Sequence, residues 1–203
     1  HNAHLWAVRH GLRALISGTP RHGVNLPSLD LDYRAVARHA TGLLLAKRHR
    51  RIGLMLPRQP LGGDDEARIG FEEAMGVRLP QDTAALIMHT SAEPASMTRS
   101  LGRWLESAGR PTAILLRGTS EALTLYGVAQ NKGLSIPGDL SVVALNHMPE
   151  MDYFNPPLTS YTMSKSKYAR SLARLVLRLI KFGSLSKQHH RLLAECKAGG
   201  SLA

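Results

Sequence analysis

Asn146 closes an apolar run, Leu140–Leu145, that follows the turn residues Pro137, Gly138 and Asp139. A short valine-rich run bounded by turn residues has the character of a strand buried on both faces. In open parallel sheets ligands bind just beyond the carboxyl ends of strands. An amide there either meets a polar ligand or caps the strand. Arg117 stands in the same relation to the run Ala113–Leu116. Its planar fork suits a carboxylate or phosphate; a plain surface position is the other reading. The remaining chemistry-bearing groups point away from catalysis. Asp64-Asp65-Glu66 has the density of a metal site, but consecutive acids opening a helix complement its dipole. His189 and His190 are adjacent, and neighbours on a strand face opposite ways, so they cannot chelate one ion there. His147 follows Asn146, yet no serine or cysteine nucleophile with a fitting acid is signalled nearby. Gly62-Gly63 lacks the Gly-Lys-Ser/Thr arrangement that cradles phosphates. No enzyme, metal or cofactor is expected.

These groups need a scaffold, and the chain supplies one. At 203 residues and 43% hydrophobic it can bury a sizeable core. Strand-like runs at Ala14–Ser17, Ser28–Leu31, Ile52–Leu56, Ala85–His89, Ala113–Leu116, Ser141–Asn146 and Thr159–Met163 alternate with amphipathic stretches. The latter lie at Tyr33–Leu45, Asp65–Met75, Ser96–Ala108, Ser120–Lys132 and Ser164–Phe182. Asp32, Asp64, Ser96 and Thr119 or Ser120 can cap helix starts, and Gly76, Gly109, Gly133 and Gly183 can stop them. This alternation predicts an α/β fold, parallel sheets with helices on both faces. Trp104, between Leu101 and Leu105, reads as core, whereas Trp6 fits core or surface.

The net charge is +11, a balance that suits either an anionic partner or a plain basic surface. The one tight cluster, Lys47-Arg48-His49-Arg50-Arg51, runs straight into a strand and reads as a helix-to-strand turn. A single cysteine, Cys196, excludes an intramolecular disulfide and suits a reducing cytoplasm. No apolar run approaches the ~20 residues a membrane span needs, and no signal peptide is visible.

Ile136-Pro137-x-Asp139-x-Ser141-Val142-Val143 followed by Pro156-Pro157-Leu158-Thr159 resembles the effector-binding domain of the LacI/GalR family of bacterial transcription regulators. The usual wording there is near "P-E-D-(I/V)-S-V-(V/I)-G-F-D-(D/N) … P-P-L-T-T". Weaker matches surround this block. Ser28-x-x-x-Asp32 with Ala35 and Leu44 resembles a family helix start. His49-Arg50-Arg51-Ile52-Gly53 resembles "G-H-R-R-I-G", with Arg48 in place of glycine, and Arg68-x-Gly70-Phe71 resembles "R-x-x-G-F". The resemblance implies a periplasmic-binding-protein-like fold of two subdomains joined by crossing segments. Residues 1–30 and 164–190 would form an incomplete first subdomain, and 31–163 with the tail 191–203 the second. The family's helix-turn-helix head, hinge helix and first strand–helix–strand run find no counterpart upstream of Ala14.

The resemblance further implies a small-molecule effector, a sugar or sugar derivative, bound between the subdomains of a cytoplasmic homodimer. Operator DNA would be met only through the missing head. Asn146 falls where the family commonly places an aspartate on sugar hydroxyls. Gly118-Thr119 replaces an Asn-Asp pair, and Gly18 stands where several members have a polar contact. Arg68 lies one residue off the family arginine, which rotates it by about 100° on a helix. Tyr153 and Phe154 either line the cleft or fill it. Together Asn146, Arg68, Arg117, Gly118, Thr119, Gly18 and Tyr153 form the expected effector site. A solute-binding receptor of a sugar transporter is the alternative with the same fold.

Overall fold

The structure is a computed structural model and describes residues 2–21, 23–76, 84–186 and 188–203. Its larger sheet is built from β3 (Arg51–Pro57), β4 (Ala84–Thr90), β5 (Ala113–Leu116), β6 (Ser141–Ala144), β7 (Thr159–Thr162) and β9 (Glu195–Lys197). The order is β4-β3-β5-β6-β7-β9, parallel except for the antiparallel β7–β9 pair. Strand alternation explains the layers, since successive side chains face opposite ways. Ile52, Leu54, Leu56, Ala113, Leu115, Val143 and Leu145 meet the helices α2 (Tyr33–Ala46) and α3 (Gly62–Gly76) on one face. Met55, Ile114, Leu116, Val142 and Ala144 meet α4 (Pro94–Glu106) and α5 (Thr119–Asn131) on the other. All four residues of β6 are buried, as a strand covered on both faces requires. Trp104 is partly buried on that second face, as expected.

A smaller parallel sheet, ordered β1-β2-β8, consists of β1 (Ile16–Ser17), β2 (Ser28–Leu31) and β8 (His189–Leu192). Helix α1 (Asn2–Arg9) packs Ala7 against Ile16, Val24 and Leu26 on one face. Helix α6 (Lys165–Phe182) packs Leu175 and Leu179 against Leu29 on the other. The chain passes between the two sheets after β2, after β7 and after β8. The tail is stapled to the larger sheet by Ser201, whose hydroxyl donates to the Val142 carbonyl (2.6 Å) and accepts from the Thr159 amide (2.8 Å).

Several local expectations change. Helix α4 is capped by Glu93, whose carboxylate accepts from the Ser96 amide (2.8 Å), with Pro94 opening the helix. A proline suits that place because its missing N–H would have no partner there. Asp64 lies inside the first turn of α3, and Gly118, at the cap position before α5, offers no side-chain cap. Asp32 and Gly183 do act as the expected caps of α2 and α6, whereas Gly76 ends α3 within the helix. Helix α1 and strands β8 and β9 went unread, because none carries a clean apolar period. Trp6 is exposed and stacks on His10, with ring centroids 4.5 Å apart.

The basic cluster is the turn between α2 and β3. Within it Arg48 holds φ at +68°, a left-handed conformation that costs a residue with a Cβ about 1–2 kcal/mol. Arg48→Gly is therefore expected to raise stability by about 1 kcal/mol, read as a higher midpoint in urea; an unchanged or lower midpoint would contradict the strain. His49, next in the turn, bridges the Thr112 and Ser141 hydroxyls (2.9 and 3.1 Å). Burial, and then the nearby Lys47 charge, holds its imidazole below the ordinary 6.5. A folded-state value below the unfolded one means that stability is complete above 6.5 and declines as pH falls through it. Wild type should lose more stability between about pH 8 and pH 5 than His49→Gln, in which this titration is absent. Equal losses in urea titrations would remove His49 as the cause.

Candidate functional site

Four chain segments leave the carboxyl ends of parallel strands and converge on one cleft of about 650 Å³. Gly18 and Thr19 follow β1, Tyr33 follows β2, Leu61–Gly63 follow β3, and Arg117 follows β5. This is where an open α/β sheet binds ligands, since the strand ends leave a crevice that helices do not fill. Helix α1 forms a further wall through Ala3, His4 and Ala7, and Asp30 of β2 projects its carboxylate into the floor.

Two polar pairs organise the cleft. The Arg117 guanidinium donates to Asp64 Oδ1, while Asp64 Oδ2 accepts from the Leu61 amide (2.8 Å). The Asp64 side chain is only 5% exposed and that of Arg117 22%, so the ion pair is largely out of water. The Arg117 guanidinium also lies 4.1 Å from the centre of the Tyr33 ring, a cation–π contact. Burial above all raises the Tyr33 phenol, which stays neutral. On the other side, Asp30 Oδ2 accepts from the Thr19 hydroxyl (2.6 Å) and Oδ1 from the Leu31 amide (2.8 Å). Each carboxylate oxygen can accept further bonds, so Asp30 is poised to take hydroxyl or amine protons from a ligand.

The structure gathers part of the expected site. Arg117 and Gly18 line the cleft. Gly18 holds φ at +135°, and a Cβ built there would meet nothing within 4 Å. Gly118 and Thr119 begin α5 directly behind Arg117. Asn146 lies two residues beyond β6, half-buried, with its amide against the Met148 sulfur (3.7 Å), outside the cleft lining. Arg68, expected in the site, pairs instead with Glu72 one helical turn on (2.9 Å) and does not line the cleft. Tyr153 is 89% exposed, while Phe154 packs edge-on against Tyr126; neither lines the cleft. Asp30, Thr19, Tyr33 and Asp64 were missed. Asp30 carried a signal, since a carboxylate inside a short strand of a parallel sheet demands a partner.

His147 does meet a serine and an acid: Nδ1 lies 3.0 Å from Ser160 Oγ and Nε2 3.8 Å from Asp152. Ser160 is wholly buried within β7, so its oxygen has no path to a substrate. The trio is a polar seam beneath the loop after β6. His189 and His190 do occupy a strand, and among the described residues no three metal-ligating side chains converge.

Residues 26–202 match the model of the periplasmic binding protein-like domain family. The chain belongs to that family. The fold class and the LacI-type kinship read from the sequence both stand. The HTH-type transcriptional repressor PurR of Aliivibrio salmonicida is 26% identical over 156 residues, 77% of this chain and 46% of the repressor. PurR of Actinobacillus pleuropneumoniae is 25% identical over 181 residues, 82% of this chain and 54% of the repressor. The chain thus spans about half the length of the curated relatives it matches. A LacI family regulator from Enterococcus faecium, solved with bound ribose, shares the fold with a TM-score of 0.80 at 22% identity; 97% of this chain and 73% of that one align. The regulator CelR in complex with cellobiose gives 0.78 at 22% identity, over 94% and 59%. No helix among the described residues is long and apolar enough to cross a membrane.

Proposed function

We propose that this chain is the effector-sensing part of a LacI-type transcription regulator, which takes a sugar or sugar derivative into the cleft between its two sheets. The observation that carries the reading is the pairing of Asp30–Thr19 with Arg117–Asp64 across one crevice. These groups offer acceptors and donors in two fixed places, and His4, Ser17 and Arg21 add polar groups to a lining that is apolar at Ala3, Ala7, Leu15, Ile16 and Leu26, the mixed character that binding sites for small polar molecules show. The bound ribose and cellobiose of the structural neighbours support a saccharide. Among the described residues that line the cleft, the Ser17 and Thr19 hydroxyls are hydrogen-bonded to Tyr168 and Asp30 rather than to a histidine that could activate them, which favours binding over turnover. We assign residues 1–30 and 164–190 to one moving unit, and 31–163 with the tail to the other. Thr19 and Asp30 stand on the first, Arg117 and Asp64 on the second. A ligand held by both stabilises one relative orientation in proportion to its differential affinity for it. In a cytoplasmic homodimer of the whole protein, that orientation would set how DNA-binding heads meet a symmetric operator. Gly18, Gly118 and Thr119 complete the proposed contact set, and Asn146 joins it when the units close.

The test is a thermal-shift screen against pentoses, hexoses, their dimers and sugar acids. A ligand at 100 times its Kd stabilises by about 2.7 kcal/mol, or about 5–11 °C for a domain of this size. Asp30→Asn keeps the shape but removes the charge, and should weaken the best hit roughly tenfold. A folded protein that no sugar shifts would sink the reading.

A further inference from the structure

On the face of the smaller sheet that α6 covers, the chain encloses a recess that shares no residue with the cleft. The left-handed cap Gly183 ends α6. Ser184, Leu185 and Ser186 then close a space of about 240 Å³ between the last turns of that helix and strand β8. Leu175, Phe182 and Leu185 give it apolar walls, while Arg178, His190 and the two serines give it donors. Register places the histidine there. His190 pairs with Leu29, which packs under α6, and partners across a ladder face the same way. Strand β8 is the edge of its sheet, so no further strand among the described residues meets that side of the ring.

His190 Nε2 is buried and has no hydrogen-bond partner among the described residues. A buried polar atom in that state is costly, and native proteins pair nearly all of them. The surroundings set the sign of a suitable partner. The lining holds no carboxylate, and Arg178 forms no ion pair among the described residues. Helix α6 carries Lys165, Lys167, Arg170, Arg174, Arg178 and Lys181 and no acid at all. Arg13 adds a guanidinium, 3.5 Å from where a Cβ on Gly183 would stand. Such a half-enclosed positive field draws anions. A guanidinium, an imidazole N–H and two hydroxyls can all donate at once. That set suits a phosphoryl group, which presents three acceptor oxygens and more charge than a carboxylate. The space is below the roughly 300 Å³ at which ordinary ligand pockets begin, so the molecule it fits is small.

We propose that this recess is a second ligand site, which takes a small organic phosphate monoester. Arg178 and His190 hold the phosphoryl group, and Ser184 and Ser186 donate to its remaining oxygens. Leu175, Phe182 and Leu185 cover the carbon body. The site stands apart from whatever the cleft binds, since the two have no lining residue in common.

Calorimetric titration of the whole chain with phenyl phosphate, inorganic phosphate and benzoate tests it. Phenyl phosphate should bind roughly tenfold tighter than inorganic phosphate, which has no body for the apolar walls, and roughly tenfold tighter than benzoate, which has fewer acceptors and less charge. Arg178→Ala, an exposed change, and His190→Phe, which keeps the ring but not the donor, should each weaken phenyl phosphate about tenfold. Arg174→Ala removes the same charge one turn earlier on α6, outside the lining, and should leave binding as it was. Equal losses from Arg174→Ala and Arg178→Ala would reduce the attraction to the general charge of the helix and overturn the site. So would inorganic phosphate or benzoate binding as tightly as phenyl phosphate, or no binding by any of the three at about 10 mM.

Discussion

Arg117→Ala is expected to lower stability by about 3 kcal/mol, the lower end of what removing one partner of a buried ion pair costs. For a domain of this size that is about 6–12 °C in melting temperature. The reason lies in what is left behind. Asp64 is 5% exposed and would keep its charge with only the Leu61 amide for company. The Tyr33 ring would also lose the cation above its face, a contact worth about 1 kcal/mol. Arg117→Lys should recover only part, since an ammonium retains the charge but not the planar fork that donates and stacks together. Removing both charges, as Asp64→Leu with Arg117→Met, should restore much of the stability, because no orphan carboxylate then remains. Differential scanning calorimetry of the four proteins separates these terms. A double variant as unstable as Arg117→Ala would show that the pair is not what holds this corner.

Gly70→Ala should lower the melting temperature by about 4–8 °C, although alanine is the better helix former. Exchanging glycine for alanine within a helix ordinarily gains about 1 kcal/mol. Here the gain is overwhelmed. A Cβ on Gly70 would collide with the carbonyl, carbonyl carbon and Cα of Arg34 in the first turn of α2. These are backbone atoms and cannot swing aside, so the helices must part. Overpacking costs about 1–3 kcal/mol or more; at the upper end the net loss is about 2 kcal/mol, hence the stated fall. Parting α2 from α3 also loosens Phe71, which is fully buried, and the Arg34–Glu73 ion pair between the two helices (Nε to Oε2, 3.0 Å). A calorimetric midpoint at or above wild type would mean that the helices cross farther apart than described.

Much of this architecture could be read before any coordinates. The continuous apolar runs Ile52–Leu56 and Ala113–Leu116 mark strands buried on both faces, because a parallel sheet covered by helices leaves no polar side. The block Ile136–Thr159 carries the resemblance, with Gly70-Phe71 among the weaker matches around it. Arg48 was visible as a departure from glycine, and its positive φ supplies the reason a glycine fits there better. Other elements left no mark. Strand β9 pairs in register with β7, but three residues ending in a lysine show no period to detect. Strand β8 joins a sheet begun far upstream, pairing His189 with Ser28, a partnership no local pattern encodes.

The candidate site divides along the same line. That residues at strand ends line a crevice follows from sequence alone, because parallel sheets open it at the carboxyl ends; Arg117 is one candidate of that kind, while Gly18 is singled out only by the family resemblance, and both line the cleft. Which strand ends face one another does not follow. Asn146 and Arg117 both lie beyond buried strands, yet only Arg117 lines the cleft. Asp64 reads locally as an acid complementing its own helix, and becomes the partner of an arginine 53 residues away only once β3 and β5 lie side by side. Asp30 drew no reading within its short strand, and becomes the acceptor of the Thr19 hydroxyl on the cleft lining only when β1 pairs with β2. Periodicity specifies which way a side chain turns; the order in which strands assemble specifies what it meets.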